Sequence, residues 1–180
     1  MILRSRCELI DSSLIFRTLG EIKTMDEPSA DEVRRANMIA LASAHAIYVE
    51  AIREIAGEKG LEGVGEANRL HGLELGRNAI QSGELRMGDL SSIFDFFESA
   101  HPFFGFELEK MSESDDSLDI KVTYCPWIDT FRDEGARDDI CTWVCKMDEG
   151  IGQAINSGVT MTLPMCMMRG DSYCIYHYEK

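Results

Sequence analysis

A chain of 180 residues, 44% hydrophobic and 28% charged, has the size and make-up of one water-compatible domain with room for a continuous core. A formal net charge of −14 repels phosphate backbones and anionic lipid, which argues against nucleic acid and membrane surfaces as partners. No run approaches the roughly 18 uninterrupted apolar residues of a membrane helix. The start, Met1 to Glu8, has no apolar stretch of the export type behind its arginines, so a cytoplasmic location is expected.

In chain order, residues 1–28 read as an N-terminal extension, with Leu9-Ile10 and Leu14-Ile15-Phe16 as its apolar spots, and residues 29–180 as a single domain. Ser29-Ala30-Asp31-Glu32 has the spacing of a capping box and predicts a helix start. Val33, Ala36, Ala40, Ala44, Ile47, Ala51 and Ile55 then recur at three- and four-residue steps, which predicts one core-facing stripe ended by Gly57 and Gly60. A second helix is expected over Leu61, Val64, Ala67, Leu70 and Leu73, closing near Gly83. A third starts around Asp89, carries Ile93, Phe94 and Phe97, and stops at His101-Pro102.

The hydrophobic period then changes to two. Phe104, Phe106 and Leu108, then Leu118, Ile120, Val122 and Tyr124, predict a β-hairpin around the polar turn 112–117. Residues 137–157 return to helical spacing, with Ile140, Val144, Met147, Ile151 and Ala154 as the core stripe. Val159 to Met168 and Tyr173 to Tyr178 read as a second hairpin around Arg169-Gly170-Asp171-Ser172. The expected fold class is α+β: helices followed by β-β-α-β-β, with helices packed on a four-stranded antiparallel sheet.

Six cysteines stand at 7, 125, 141, 145, 166 and 174. Without an export signal, and in a chain long enough to fold without staples, free thiols or a metal site are expected rather than a disulfide scaffold. Cys141, Cys145 and Asp148 fall at i, i+4 and i+7 and share a helix face. Pro126 cannot continue a ladder and delivers Cys125 at a strand end. Whether Cys166 and Cys174 share a face depends on the length of the loop between them, because a one-residue slip inverts the alternation.

Three chemistries fit this set. A thiol, Cys125 or Cys145, is a nucleophile toward an amidine-like or acyl carbon, with Asp148 as acid or base. Alternatively, Cys125, Cys145 and Cys174 bind zinc or iron, although no C-x-x-C pair supports it. Thirdly, the cysteines are small buried hydrophobes. Trp127 is a candidate stacking surface, and His71 and His177 are candidate partners of a thiol.

Cys125-Pro126, Cys145-Lys146-Met147-Asp148 and Gly170-Asp171-Ser172-Tyr173-Cys174, followed by an aromatic-rich strand, resemble the L-2-amino-thiazoline-4-carboxylic acid hydrolase family. The C-terminal part also resembles the 4-vinyl reductase-type small-molecule-binding domain. The first resemblance implies hydrolysis of a C–N or C–S bond in a cyclic amidine, with Cys125, Cys145, Asp148 and Cys174 as catalytic candidates. Trp127, Arg169, His71 and His177 are the substrate-binding candidates, Arg169 as a clamp for a carboxylate. The second implies a non-catalytic sensor or carrier that uses the same cysteines for a ligand or metal. No cofactor is firmly implied, and the expected partners are a small molecule and a second copy of the chain in a homodimer.

Overall fold

The computed structural model describes residues 27–180, so the extension expected over residues 1–28 lies almost wholly outside them. Helix α1 (Ala30–Ser82) begins as the sequence requires. The Ser29 N–H donates to the Glu32 carboxylate at 2.7 Å, and the Glu32 N–H donates to Ser29 Oγ at 3.3 Å. Its other end is closed by Gly83 in the left-handed region, φ 84°, donating to the last carbonyls. Between them Gly57, at φ 61° and ψ −150°, breaks the helical path and separates the two helices expected from the sequence.

The faces that α1 buries are not the expected ones. In the first half Ala42, Ala46 and Val49 point inward, while Val33, Ile47 and Ile55 are exposed. In the second half the inward line is Leu61, Gly65, Gly72, Gly76 and Ala79, and Ala67 and Leu70 are exposed. Periodicity marks a shared face, but an alanine- and glycine-rich helix with apolar residues all round does not declare which face meets the body.

Helix α2 (Ser91–Ala100) packs Ile93, Phe94 and Phe97 inward, runs on into a 3-10 turn at His101–Phe104, and leads to the sheet. The Asp89 carboxylate accepts from the Ser91 N–H at 3.0 Å, which is the start signal read from the sequence. Strands β1 (Glu107–Glu113) and β2 (Ser117–Tyr124) form the first hairpin. Helix α3 (Trp127–Asp133) follows Pro126 where no helix was expected. The helix expected over 137–157 is α4 (Ile140–Val144) and α5 (Lys146–Ile155), divided at Cys145 by a single change of ψ to 1°.

Strand β3 (Thr160–Thr162) is cut short by Pro164, which has no N–H to donate, and β4 (Cys174–Glu179) closes the sheet. The second hairpin therefore has eleven loop residues, 163–173, with a 3-10 turn at Met167–Arg169, and not the tight turn expected. The sheet is antiparallel throughout, in the order β1-β2-β4-β3. Leu118, Ile120 and Val122 of β2 stand opposite Tyr178, Tyr176 and Cys174 of β4, and this face is buried under the helices. The fold is α+β, as the change of period indicated. Among the described residues no helix is long and apolar enough to cross a membrane.

A glycine crossing fixes the helix that follows Cys145 and carries Asp148. A Cβ on Gly72 would lie 1.8 Å from the Met147 carbonyl oxygen, and one on Gly150 would lie 2.0 Å from that of Arg69. The backbones of α1 and α5 touch there, and the two helices make the most extensive contact between elements in the molecule. Across α5, the Tyr178 ring packs on Gly152, and its hydroxyl donates to the Asp148 carbonyl at 3.2 Å. The segment from Cys145 to Ile155 is thus clamped between α1 and β4.

Candidate functional site

Two short helices and one strand bring the thiols together. The Cys145 N–H donates to the Cys141 carbonyl at 3.0 Å and the Asp148 N–H to the Cys145 carbonyl at 3.0 Å, so 141, 145 and 148 keep a common face across the α4–α5 junction. That face meets the buried side of β4, where Cys174, Tyr176 and Tyr178 alternate. The Tyr176 hydroxyl lies 4.0 Å from Cys145 Sγ, and Asp148, Cys125 and Cys174 are near enough to act on it electrostatically. Cys125 enters from the end of β2, its sulfur accepting from the N–H groups of Trp127 and Ile128.

A row of thiols runs through the site. Cys141 lies between Cys145 and Cys166, and Cys166 between Cys141 and Cys174. The Met167 N–H donates to Cys174 Sγ at 3.3 Å, while the Cys166 N–H donates to the Asp171 carboxylate at 2.7 Å. The long loop thus folds back so that Cys166 and Cys174 meet without belonging to paired strand positions. All five described cysteines are free thiols.

The electrostatics separate these groups. The Cys141 and Cys174 thiols beside it, helped by the N–H groups of Met168 and Arg169, hold Cys166 below the ordinary thiol range. Cys145, and after it Cys166, pushes Cys141 up, and Cys166 pushes Cys174 up. Burial pushes Cys125 up to about 12, which makes it a thiol and not a thiolate at neutral pH. Burial also raises Asp148 from 3.8 to about 7, so its carboxyl can hold or release a proton near neutrality. Tyr176 is raised, chiefly by burial and then by Cys145 and Asp148, and stays protonated as a donor.

The structure therefore gathers Cys125, Cys145, Asp148 and Cys174 around Tyr176. Trp127 stands next to this group, packed on His45 at 5.0 Å between ring centres, and its buried Nε1–H has no partner among the described residues. The other candidates lie elsewhere. His71 is exposed on α1. His177 faces the outer side of the sheet, where it pairs with Asp119 at 2.6 Å, because alternation along β4 turns it away from Tyr176 and Tyr178. Arg169 is exposed and donates to the Leu163 carbonyl, so its guanidinium braces the loop. Tyr176 was not singled out from the sequence, yet it stands two residues after Cys174 on the same strand face, the spacing that could have marked it.

Among the described residues no group of three or more His, Cys, Asp or Glu is placed to hold a metal ion, so the zinc or iron alternative through Cys125, Cys145 and Cys174 has no ligand set. Beside Cys125 opens a groove of about 620 Å³, walled by Tyr124, Pro126 and Phe104 and rimmed by Arg34 and Arg35.

Comparison with known proteins adds three findings. The sequence model of the family described as L-2-amino-thiazoline-4-carboxylic acid hydrolase matches residues 35–178, which include every residue of the site. No curated protein matches the chain. Among solved structures, a trafficking protein particle complex subunit 3 from Naegleria fowleri, covalently bound to palmitic acid, is similar with a TM-score of 0.57 at 12% identity. The alignment covers 80% of this chain and 95% of that one, a likeness of fold alone.

Proposed function

The chain belongs to the L-2-amino-thiazoline-4-carboxylic acid hydrolase family, and from that premise we propose that it opens a small cyclic amidine of the 2-amino-thiazoline-4-carboxylate type by hydrolysis. The observation that carries this reading is Asp148, a buried carboxyl raised to about 7 beside Cys145 and the Tyr176 hydroxyl. A group that exchanges its proton near neutral pH, next to a nucleophile and a fixed donor, suits a reaction in which a proton must leave one atom and reach another.

The Cys145 thiol attacks the amidine carbon while the Asp148 carboxylate takes its proton. Tyr176 donates to the charge that develops on the substrate. The tetrahedral carbon then expels one ring atom, nitrogen or sulfur, which receives the proton from Asp148. Water attacks the carbon that remains, an isothiourea after C–S rupture or an imidodithiocarbonate after C–N rupture; Asp148 accepts a proton from that water and returns it, and Cys145 leaves as a thiol. The sum is addition of one water to the substrate. Rupture of the ring C–S bond leaves N-carbamoyl-cysteine with a free thiol, and rupture of the C–N bond leaves S-carbamoyl-cysteine with a free amine. Cys125, held protonated, and the Trp127 Nε1–H serve as further donors at the substrate, and Arg34 and Arg35 at the groove rim supply the cations for its carboxylate that Arg169 does not.

The test is incubation of the full chain with L-2-amino-thiazoline-4-carboxylate, followed by thiol titration and amine labelling of the product. Wild-type protein yields one of the two carbamoyl-cysteines, and Cys145→Ser and Asp148→Asn lose at least 100-fold in kcat while keeping wild-type circular dichroism. A wild-type protein that is thermally stabilised by the compound without product would move the function to ligand binding. Turnover that survives Cys145→Ser would remove the nucleophile assigned here.

A further inference from the structure

The outward face of the first half of α1 is apolar and, among the described residues, uncovered. Val33, Leu41, Ile47, Tyr48 and Ile55 are 43, 45, 54, 67 and 86% exposed, and Ala36, Ala40 and Ala51 between them are exposed too. Over about 33 Å of helix, at ~1.5 Å per residue, only Asn37 and Glu54 interrupt the stripe with polar groups. A chain of net charge −14 that leaves one long strip almost free of charge offers there the route by which two acidic copies approach at least electrostatic cost. The strip occupies the straight helical segment between the Ser29 cap and the break at Gly57.

We infer that this face joins two copies of the chain, with the two α1 helices antiparallel about a two-fold axis at Ala44. The residue sizes favour that arrangement. Reflection about Ala44 sets Tyr48 against Ala40, Leu41 against Ile47, Asn37 against Ala51 and Val33 against Ile55, so the bulkiest side chain meets one of the smallest. A parallel pair would set Tyr48 on Tyr48 and Ala40 on Ala40, leaving one contact crowded and the other empty. Antiparallel helices also oppose their dipoles favourably. At the exposures given, the five large side chains offer on the order of 500 Å² per copy, taking each as ~150–200 Å² in full. Two copies then bury about 1,000 Å², the floor for a specific interface, before the alanines are added.

The experiment is photocrosslinking of the full chain carrying p-benzoylphenylalanine in place of Tyr48, alongside sedimentation of the wild type and of Ile47→Glu. The expected result is a crosslinked species of twice the chain mass, a wild-type dimer, and an Ile47→Glu monomer with unchanged circular dichroism. A cysteine at Ala44 should then link to its counterpart on oxidation with copper phenanthroline, whereas one at Val33 should not, since the two-fold separates that pair by tens of ångströms. Linkage at both positions would overturn the antiparallel register. A wild-type monomer, a crosslink from position 48 to residues 1–26 of the same chain, or a dimer untouched by Ile47→Glu would overturn the interface itself.

Discussion

Asp148, which is buried, and His101, half-buried with its Nδ1 closed off from water, are both titratable and opposite in what acid does to them. Asp148 keeps its proton up to about pH 7 in the folded chain, while an ordinary aspartate releases it near 3.8. The folded state therefore binds more protons between those values, and this group's share of stability falls as pH rises from about 4 to 7 and is level above. Three pKa units correspond to at most about 4 kcal/mol, at ~1.4 kcal/mol per unit. Asp148→Asn removes the penalty of a buried charge, so the variant should be more stable than wild type at pH 8 and nearly equal to it at pH 4. Urea unfolding of both proteins at the two pH values checks this, and parallel pH profiles would show that Asp148 carries no displaced proton. Burial lowers His101 from 6.5 to about 4, its ring packed between Phe97 and Phe106. Its folded form resists protonation, and its share of stability is lost as pH falls from about 6.5 to 4. His101→Phe keeps the aromatic packing and should move the acid unfolding midpoint, followed by fluorescence, to lower pH. In steady-state kinetics, Arg35→Ala at the groove rim should raise KM for a carboxylate substrate with little change in kcat, the mark of a group that binds without reacting.

At the scale of elements, the crossing of α1 over α5 decides where Cys145 and Asp148 stand. Gly72→Ala would drive a methyl group into the Met147 carbonyl, and the helices can admit it only by moving apart. The expected cost is about 2–3 kcal/mol in unfolding free energy. Activity should be lost with it, because Cys145 and Asp148 ride on the displaced segment. Gly63 lies in the same helix with nothing within 4 Å of an added Cβ. Gly63→Ala should therefore stabilise by about 0.5–1 kcal/mol through helix propensity and leave turnover unchanged. Denaturant titrations of the two variants separate the crossing from glycine content in general. The capping box at Ser29, the stop at Gly83, the period-two run of β2 and the common face of 141, 145 and 148 were all legible, because each depends on residues a few positions apart. Helix α3 was not, since seven residues after a proline carry too short a period to read.

Over the whole molecule, the sheet's outer face and the outward strip of α1 differ in charge. The sheet's outer face carries Asp119 paired with His177 and Lys121 paired with Glu109, while α1 turns outward a strip whose one charged residue is Glu54. If two acidic chains meet on that strip, salt should strengthen their association, because screening weakens the repulsion between like-charged bodies and leaves apolar burial intact. Sedimentation at about 0.02 M and about 0.5 M sodium chloride should show a larger dimer fraction at the higher salt, given Debye lengths of about 20 Å and 4 Å. An interface held by ion pairs would weaken instead.

By itself the sequence determined the α+β order, most helix ends, the first hairpin, the family resemblance, and the presence of two thiols and a carboxylate on one helical face. These are local properties, written in spacing, capping and turn chemistry. The tertiary structure decided which side of α1 is buried, that Cys166 and Cys174 meet across an eleven-residue loop, that Tyr176 stands beside Cys145, and that His71, His177 and Arg169 lie apart from the thiols. Periodicity says which residues travel together, but whether they end inside or outside depends on where a distant element lies. Here that is settled by two glycines, Gly72 and Gly150, that let two backbones touch.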